Sequence, residues 1–255
     1  MAAASVSTQE WELRVLLAGA YRIIDHLGWS ELIWTHTTVR IPGPEHHFLI
    51  NPYGFRFDEV RASNLVKIDM GGNVIGDQTQ EINPAGFVIH SAIHMSRPDA
   101  QCVMHTHTVA GMAVAALQDG LLPISMYALG YHGQVSYHDF EGPSLDLGER
   151  RRLAASLRQN NVLILRNHGL LTCGQTIAQA FVRMYRLERA CQVQLAAQST
   201  GGPLAVPPPD ICALSAERSD DFLAVEGNRG YSREANPEFA ALLRLIDRKD
   251  PSYRT

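Results

Sequence analysis

At 255 residues, with 45% hydrophobic and 19% charged side chains, the chain is long enough to bury a large core as one sizeable domain with short appendages. A formal net charge of -4 and a sequence pI near 6.2 argue against nucleic acid as the main partner. No apolar run approaches the length of a membrane-spanning helix, the first dozen residues carry no secretory signal, and Cys102, Cys173, Cys191 and Cys212 show no CxxC spacing, so a cytoplasmic protein with buried thiols is expected.

In chain order, residues 8–29 place Trp11, Val15, Ala18, Ile23 and Leu27 at helical spacing and stop at Gly28. Two β-rich runs follow at 32–41 and 46–52, split by the turn "PGPEH". Residues 64–77 read as a hairpin with Gly71-Gly72-Asn73 at the tip. Residues 83–99 return to helical spacing, with Pro84 near the start and Pro98 past the end. The run "DAQCVMHTHT" is a strand, and 109–120 a helix ended by Gly120. Mixed strand and loop over 122–142, a helix over 144–160 and two strands around "RNHG" come next. A long helix spans 176–199, a Gly- and Pro-rich break covers 200–210, and 235–248 forms a last helix with Asn236 as N-cap and Pro237 at its first position. Interleaved strands and helices predict an α/β fold, with a sheet covered on both faces. The hairpins exclude a purely parallel sheet.

Residues i and i+2 of a strand share a face, so His105 and His107 project side by side and can both hold one cation. His168 follows a wholly apolar strand and precedes Gly169, where the backbone can turn sharply. Three histidines leave an open coordination position, the pattern of a catalytic metal site. His90 and His94 form a possible rival pair on one helix face, but without a nearby third ligand they read as packing.

"RPDAQCVMHTHT" together with "VLILRNHGLL" resembles the class II aldolase/adducin family over roughly residues 10–200. The resemblance implies a single α/β/α domain around a mixed, mostly antiparallel sheet (1–202), with 203–255 as an extension packing on the domain or a neighbouring subunit. It also implies a homotetramer and a divalent metal on His105, His107 and His168, zinc foremost, with manganese or iron as alternatives. Sugar-phosphate aldolases of the family carry a glutamate four residues before the helix histidine. Aligning that histidine with His90 places Gly86 there, which leaves Glu81 as the nearest carboxylate upstream. The stretches "WTHTTVR", "INPYGF" and "YHDFEG" are closer to the adducin-like branch. That branch holds non-catalytic cytoskeletal modules, metal-dependent decarboxylases and iron oxygenases.

These readings lead to a metal-dependent carbon–carbon lyase acting on a small oxygenated carboxylate or carbonyl compound, with no nucleic-acid or membrane partner. Decarboxylation stands slightly ahead of retro-aldol cleavage, because it needs less of a base. His36 is the expected general acid or carboxylate donor, Glu81 a second catalytic group, and Asn51, Tyr131 and His132 the substrate contacts. A non-catalytic adducin-like module and an iron-dependent oxygenase are the alternatives.

Overall fold

Alternation of side chains along a seven-stranded sheet divides the interior into two halves, and the candidate site forms on one of them. The computed structural model describes residues 6–76, 79–143, 146–227 and 236–255, the side chains of 220–227 excepted. The expected hairpin over 64–77 and helix over 144–160 each run partly outside the described residues, as does the start of the chain.

The strands are β1 (His36–Arg40), β2 (Phe48–Ile50), β3 (Val66–Ile68), β4 (Cys102–Thr106), β5 (Val135–His138), β6 (Val162–Leu165) and β7 (Gly169–Gly174). Their order is β3-β2-β1-β4-β7-β6-β5, with every neighbouring pair antiparallel except β5–β6. The expected mixed, mostly antiparallel α/β domain is what forms. On one face, Val39, Cys102, Met104, Ile164 and Leu170 pack with helices α1 (Thr8–His26), α3 (Val109–Ala115), α6 (Ile177–Ser199) and α8 (Pro237–Lys249). On the other, Val103, Leu163, Leu165, Leu171 and Cys173 meet α2 (Pro84–Ser96) and α5 (Glu149–Leu157). The remaining helices, α4 (Met126–Leu129) and α7 (Pro209–Gly227), lie at the α6 side. The residues concerned are almost wholly buried, each apolar side chain contributing roughly 1.5–3 kcal/mol.

Local chemistry sets the boundaries of α2. Asn83 caps its start by accepting from the amides of Ala85 and Gly86, and Pro84 occupies the first turn, where a missing N–H costs nothing. The helix stops at Arg97, before Pro98, because a residue preceding proline is driven out of the helical region.

Two elements differ from the sequence reading. The hairpin at 64–77 has its turn, held by the Asp69 carboxylate on the amides of Gly71 and Asn73, but among the described residues its returning arm is an isolated bridge, Ile68–Val74, and no full strand. The Pro-rich break also launches a helix that was not expected, α7, because proline suits a first helical turn as well as a break. The C-terminal residues return to the domain: Tyr253 is fully buried, its carbonyl accepts from the amide of Ala62, and Gly19 of α1 leaves room for Leu243 and Tyr253.

Candidate metal centre

His105 lies on β4 with the parity of Val103, so it faces the α2 and α5 side of the sheet. His107 follows two residues later and shares that face. His168 sits in the three-residue turn between β6 and β7, where Leu165 pairs with Gly169. That turn is anchored from both sides: the Arg166 amide donates to the His138 carbonyl, and the Asn167 amide to that of Ala115. The left-handed residue is Asn167, at φ 55°, a position asparagine tolerates better than most. Gly169, expected to supply the turn, does something else. A Cβ there would lie 2.4 Å from the Thr106 carbonyl oxygen, so the glycine lets β7 close onto β4 beside the histidines.

The ligand-capable atoms of His105, His107 and His168 all lie within 4.8 Å of one another. His105 Nδ1 is 2.9 Å from the Leu170 carbonyl, and His107 Nδ1 is 2.6 Å from a Glu31 carboxylate oxygen. Both partners only accept, so both Nδ1 atoms carry the ring proton. Their Nε2 lone pairs then face each other at 2.7 Å, an arrangement that is repulsive unless a cation is shared. Metal–nitrogen bonds of about 2.0–2.1 Å suit such a donor set. The three residues therefore fit a divalent ion.

Burial lowers all three imidazole pKa values: His105 well below its usual range, and His168 to about 4. For His107 burial outweighs the opposing pull of Glu31. The rings stand neutral at physiological pH, as metal ligands must. Glu31 is the residue that sequence reading missed. It follows a turn, carries no motif, and reaches His107 only because residues 31–34 fold back on themselves.

His36 on β1 pairs in register with His105, their ring centroids 5.1 Å apart. Its ring fills the space over Gly86, where a Cβ would lie 2.6 Å from His36 Cδ2. Burial is the main cause that pushes the pKa of His36 well down, followed by the neighbouring histidines. The other expected site residues are not gathered here. Glu81 is exposed, and its backbone carbonyl pairs with Tyr53. Asn51 is buried, with Oδ1 2.8 Å from the Tyr21 hydroxyl, inside a bracket joining α1 to β1. Tyr131 is 6% exposed, packs in the larger core and donates its hydroxyl to the Arg183 carbonyl. His132 is exposed on the turn after α4. His90 and His94, read as packing, are buried and hydrogen-bonded through Thr38. A second group, His138, Glu141 and Glu149, clusters near His168, but the Arg152 guanidinium holds the Glu141 carboxylate at 2.5–2.8 Å. It is an ion-pair cluster.

A mixed sheet carrying three converging histidines defines an α/β domain of the class II aldolase type. The family model described as "Class II Aldolase and Adducin N-terminal domain" matches residues 15–195, and the chain belongs to that family. A solved aldolase II superfamily protein from Pseudomonas syringae is 47% identical, with 98% of each chain covered and a TM-score of 0.90. The structure titled L-fuculose 1-phosphate aldolase from Glaciozyma antarctica is 30% identical, covering 99% of this chain and 95% of the other, with a TM-score of 0.82. Alpha-adducin of Rattus norvegicus is 42% identical over 95% of this chain, a match that spans 34% of the adducin.

Two outcomes follow from this geometry. Glu31→Gln weakens the hold on the His107 tautomer, and metal affinity is expected to fall about 10–100-fold by competition with a fluorescent chelator. Unchanged affinity would make Glu31 a bystander. Acid stability is the second. His36, His90 and His94 are kept neutral by burial, His94 down to about 3, whereas in the unfolded chain each takes up a proton near pH 6.5. The unfolded state then binds more protons, so stability falls as pH drops below about 6.5, by about 1.4 kcal/mol per pH unit for each such ring. Urea midpoints of metal-free protein should be flat above pH 7 and decline from pH 6.5 to 4.5. A rise toward acid would show that the rings are charged in the fold.

Proposed function

We propose that the chain is a divalent-metal-dependent carbon–carbon lyase acting on a small oxygenated carboxylate or carbonyl compound. The observation that carries this reading is the pair of facing Nε2 atoms of His105 and His107, with His168 closing the set. A zinc, manganese or iron ion bound by these three rings would polarise adjacent carbonyl and hydroxyl oxygens of the substrate and offset the charge that collects on oxygen as the bond breaks. His36 stands beside the clamp, against Gly86, and is the group placed to take the substrate's hydroxyl proton. It supplies the base whose lack favoured decarboxylation. Retro-aldol cleavage therefore moves ahead, and the 30% identity to a protein titled L-fuculose 1-phosphate aldolase supports that order. Glu81, exposed and apart, carries no catalytic role in this reading. The identity to alpha-adducin favours a second reading, a non-catalytic binding module.

Metal analysis and a product screen separate the two. His105→Ala, His107→Ala and His168→Ala are each expected to lose most bound metal while far-UV circular dichroism stays native. Unchanged metal content in all three removes the site. The zinc-loaded protein should release an aldehyde from β-hydroxycarbonyl compounds faster than it releases CO2 from keto or hydroxyaromatic acids. The opposite order restores decarboxylation. A protein that binds no metal and turns over nothing is the adducin-like module, and bound iron with O2 uptake is an oxygenase.

We further propose a homotetramer. Support comes from the family and from the exposed apolar side chains of Leu32, Val109 and Met126, at 71%, 80% and 78% exposure. A neighbouring subunit is the cover proposed for these side chains. Light scattering should give about four times 28.2 kDa, and a monomer mass at micromolar concentration overturns the assembly.

A further inference from the structure

Thr38, His90 and His94 take no part in the clamp, yet with His36 they form one unbroken row of hydrogen bonds across the α2 side of the sheet. His36 Nδ1 lies 2.7 Å from His90 Nε2, and His90 Nδ1 lies 2.6 Å from Thr38 Oγ1. The same Oγ1 is 2.7 Å from His94 Nε2, and His94 Nδ1 is 2.9 Å from the Ala100 carbonyl oxygen. All four side chains are buried, which makes each unmet hydrogen bond in the row costly.

The far end decides the polarity of the whole row. A carbonyl oxygen only accepts, so His94 Nδ1 carries its proton and His94 Nε2 holds a lone pair. Thr38 must then donate to His94, which leaves its oxygen to accept from His90 Nδ1. His90 Nε2 in turn accepts from His36 Nδ1. His36 ends with its proton on Nδ1 and a lone pair on Nε2, while its ring hydrogen bond among the described residues is the one at Nδ1. The ring also has a reserved place: a Cβ at position 86 would come within 3.0 Å of that same Nε2.

We propose that Thr38, His90 and His94 are positioning residues that lock His36 in the Nδ1–H tautomer, so that Nε2 is a standing proton acceptor beside the three-histidine clamp. This deepens the lyase reading and rests on it only for the identity of the proton. When a substrate hydroxyl transfers its proton, the O–H bond breaks and an Nε2–H bond forms, leaving His36 a cation whose Nδ1–H still donates to His90. The proton returns to product in the closing step. An acceptor at Nε2 cannot donate to a carboxylate, so the alternative role expected for His36, gripping a substrate carboxylate, is removed.

The row can be read without substrate. In long-range 1H–15N spectra of 15N-histidine-labelled protein at neutral pH, His36, His90 and His94 should all show the Nδ1–H pattern, whereas a free histidine side chain favours Nε2–H. His36 found as Nε2–H overturns the proposal. Thr38→Val exchanges the hydroxyl for a methyl of like shape and breaks the row, so His36 and His90 should drift to mixed tautomers, with Thr38→Ser restoring them. His36 staying wholly Nδ1–H in a folded Thr38→Val protein also overturns it; should that variant not fold, the wild-type and Thr38→Ser spectra decide. In the retro-aldol assay Thr38→Val should lower kcat by about 10²-fold with KM little changed, the low end of acid–base assistance. A native tautomer row in a protein inert to every substrate would fail the lyase reading while leaving the row established.

Discussion

The antiparallel register of β1 on β4 is the constraint from which the site follows. It sets His36 opposite His105 and Thr38 opposite Val103, which places the clamp, the adjoining imidazole and the hydroxyl on one face. A slip of one residue would turn every one of these side chains to the other face, into the apolar packing of α1 and α6. The register is held by what lies on both sides: Val39, Cys102 and Met104 are wholly buried in the larger core, and Val103 in the smaller. The geometry of the histidine cluster and hydrophobic burial therefore depend on the same pairing.

Much of this was legible in the sequence, and for identifiable reasons. The three histidines stood out because a strand's two-residue period and an apolar run ending in a turn are local signals, and the structure brings the three together. The capped helices α2 and α8 were legible for the same reason: Asn followed by Pro is chemistry confined to adjacent residues. What stayed hidden depends on contacts between distant segments. Glu31 meets His107 across the fold, and nothing in its neighbours marks it. His90 and His94 do share a helix face, as their spacing implies, but that they bracket one threonine on β1 requires the sheet to exist first. Tyr131 and Asn51, expected as substrate contacts, each also bond the scaffold, Tyr131 to the Arg183 carbonyl and Asn51 to the Tyr21 hydroxyl, which depends on partners distant in sequence.

Electrostatically the centre is unusual in being rich in bases and poor in charge. Around the clamp the rings of His36, His90, His94, His105 and His168 are all held neutral, chiefly by burial, and the Glu31 carboxylate acts through His107. A site of this kind attracts a cation through lone pairs, with little help from net negative charge. Among the described residues the three-histidine group contains no carboxylate, so it would add no negative charge of its own to a cation held there.

The close fit of His36 over Gly86 also constrains how the protein could change. Position 86 cannot gain any side chain while an imidazole occupies position 36, since even a methyl group would fall inside van der Waals contact with the ring. Position 36 cannot shrink without opening a hole beside the clamp and stranding His90. The two positions are thus coupled sterically: a side chain at 86 and the imidazole at 36 compete for one volume, so a larger residue at the first calls for a smaller one at the second.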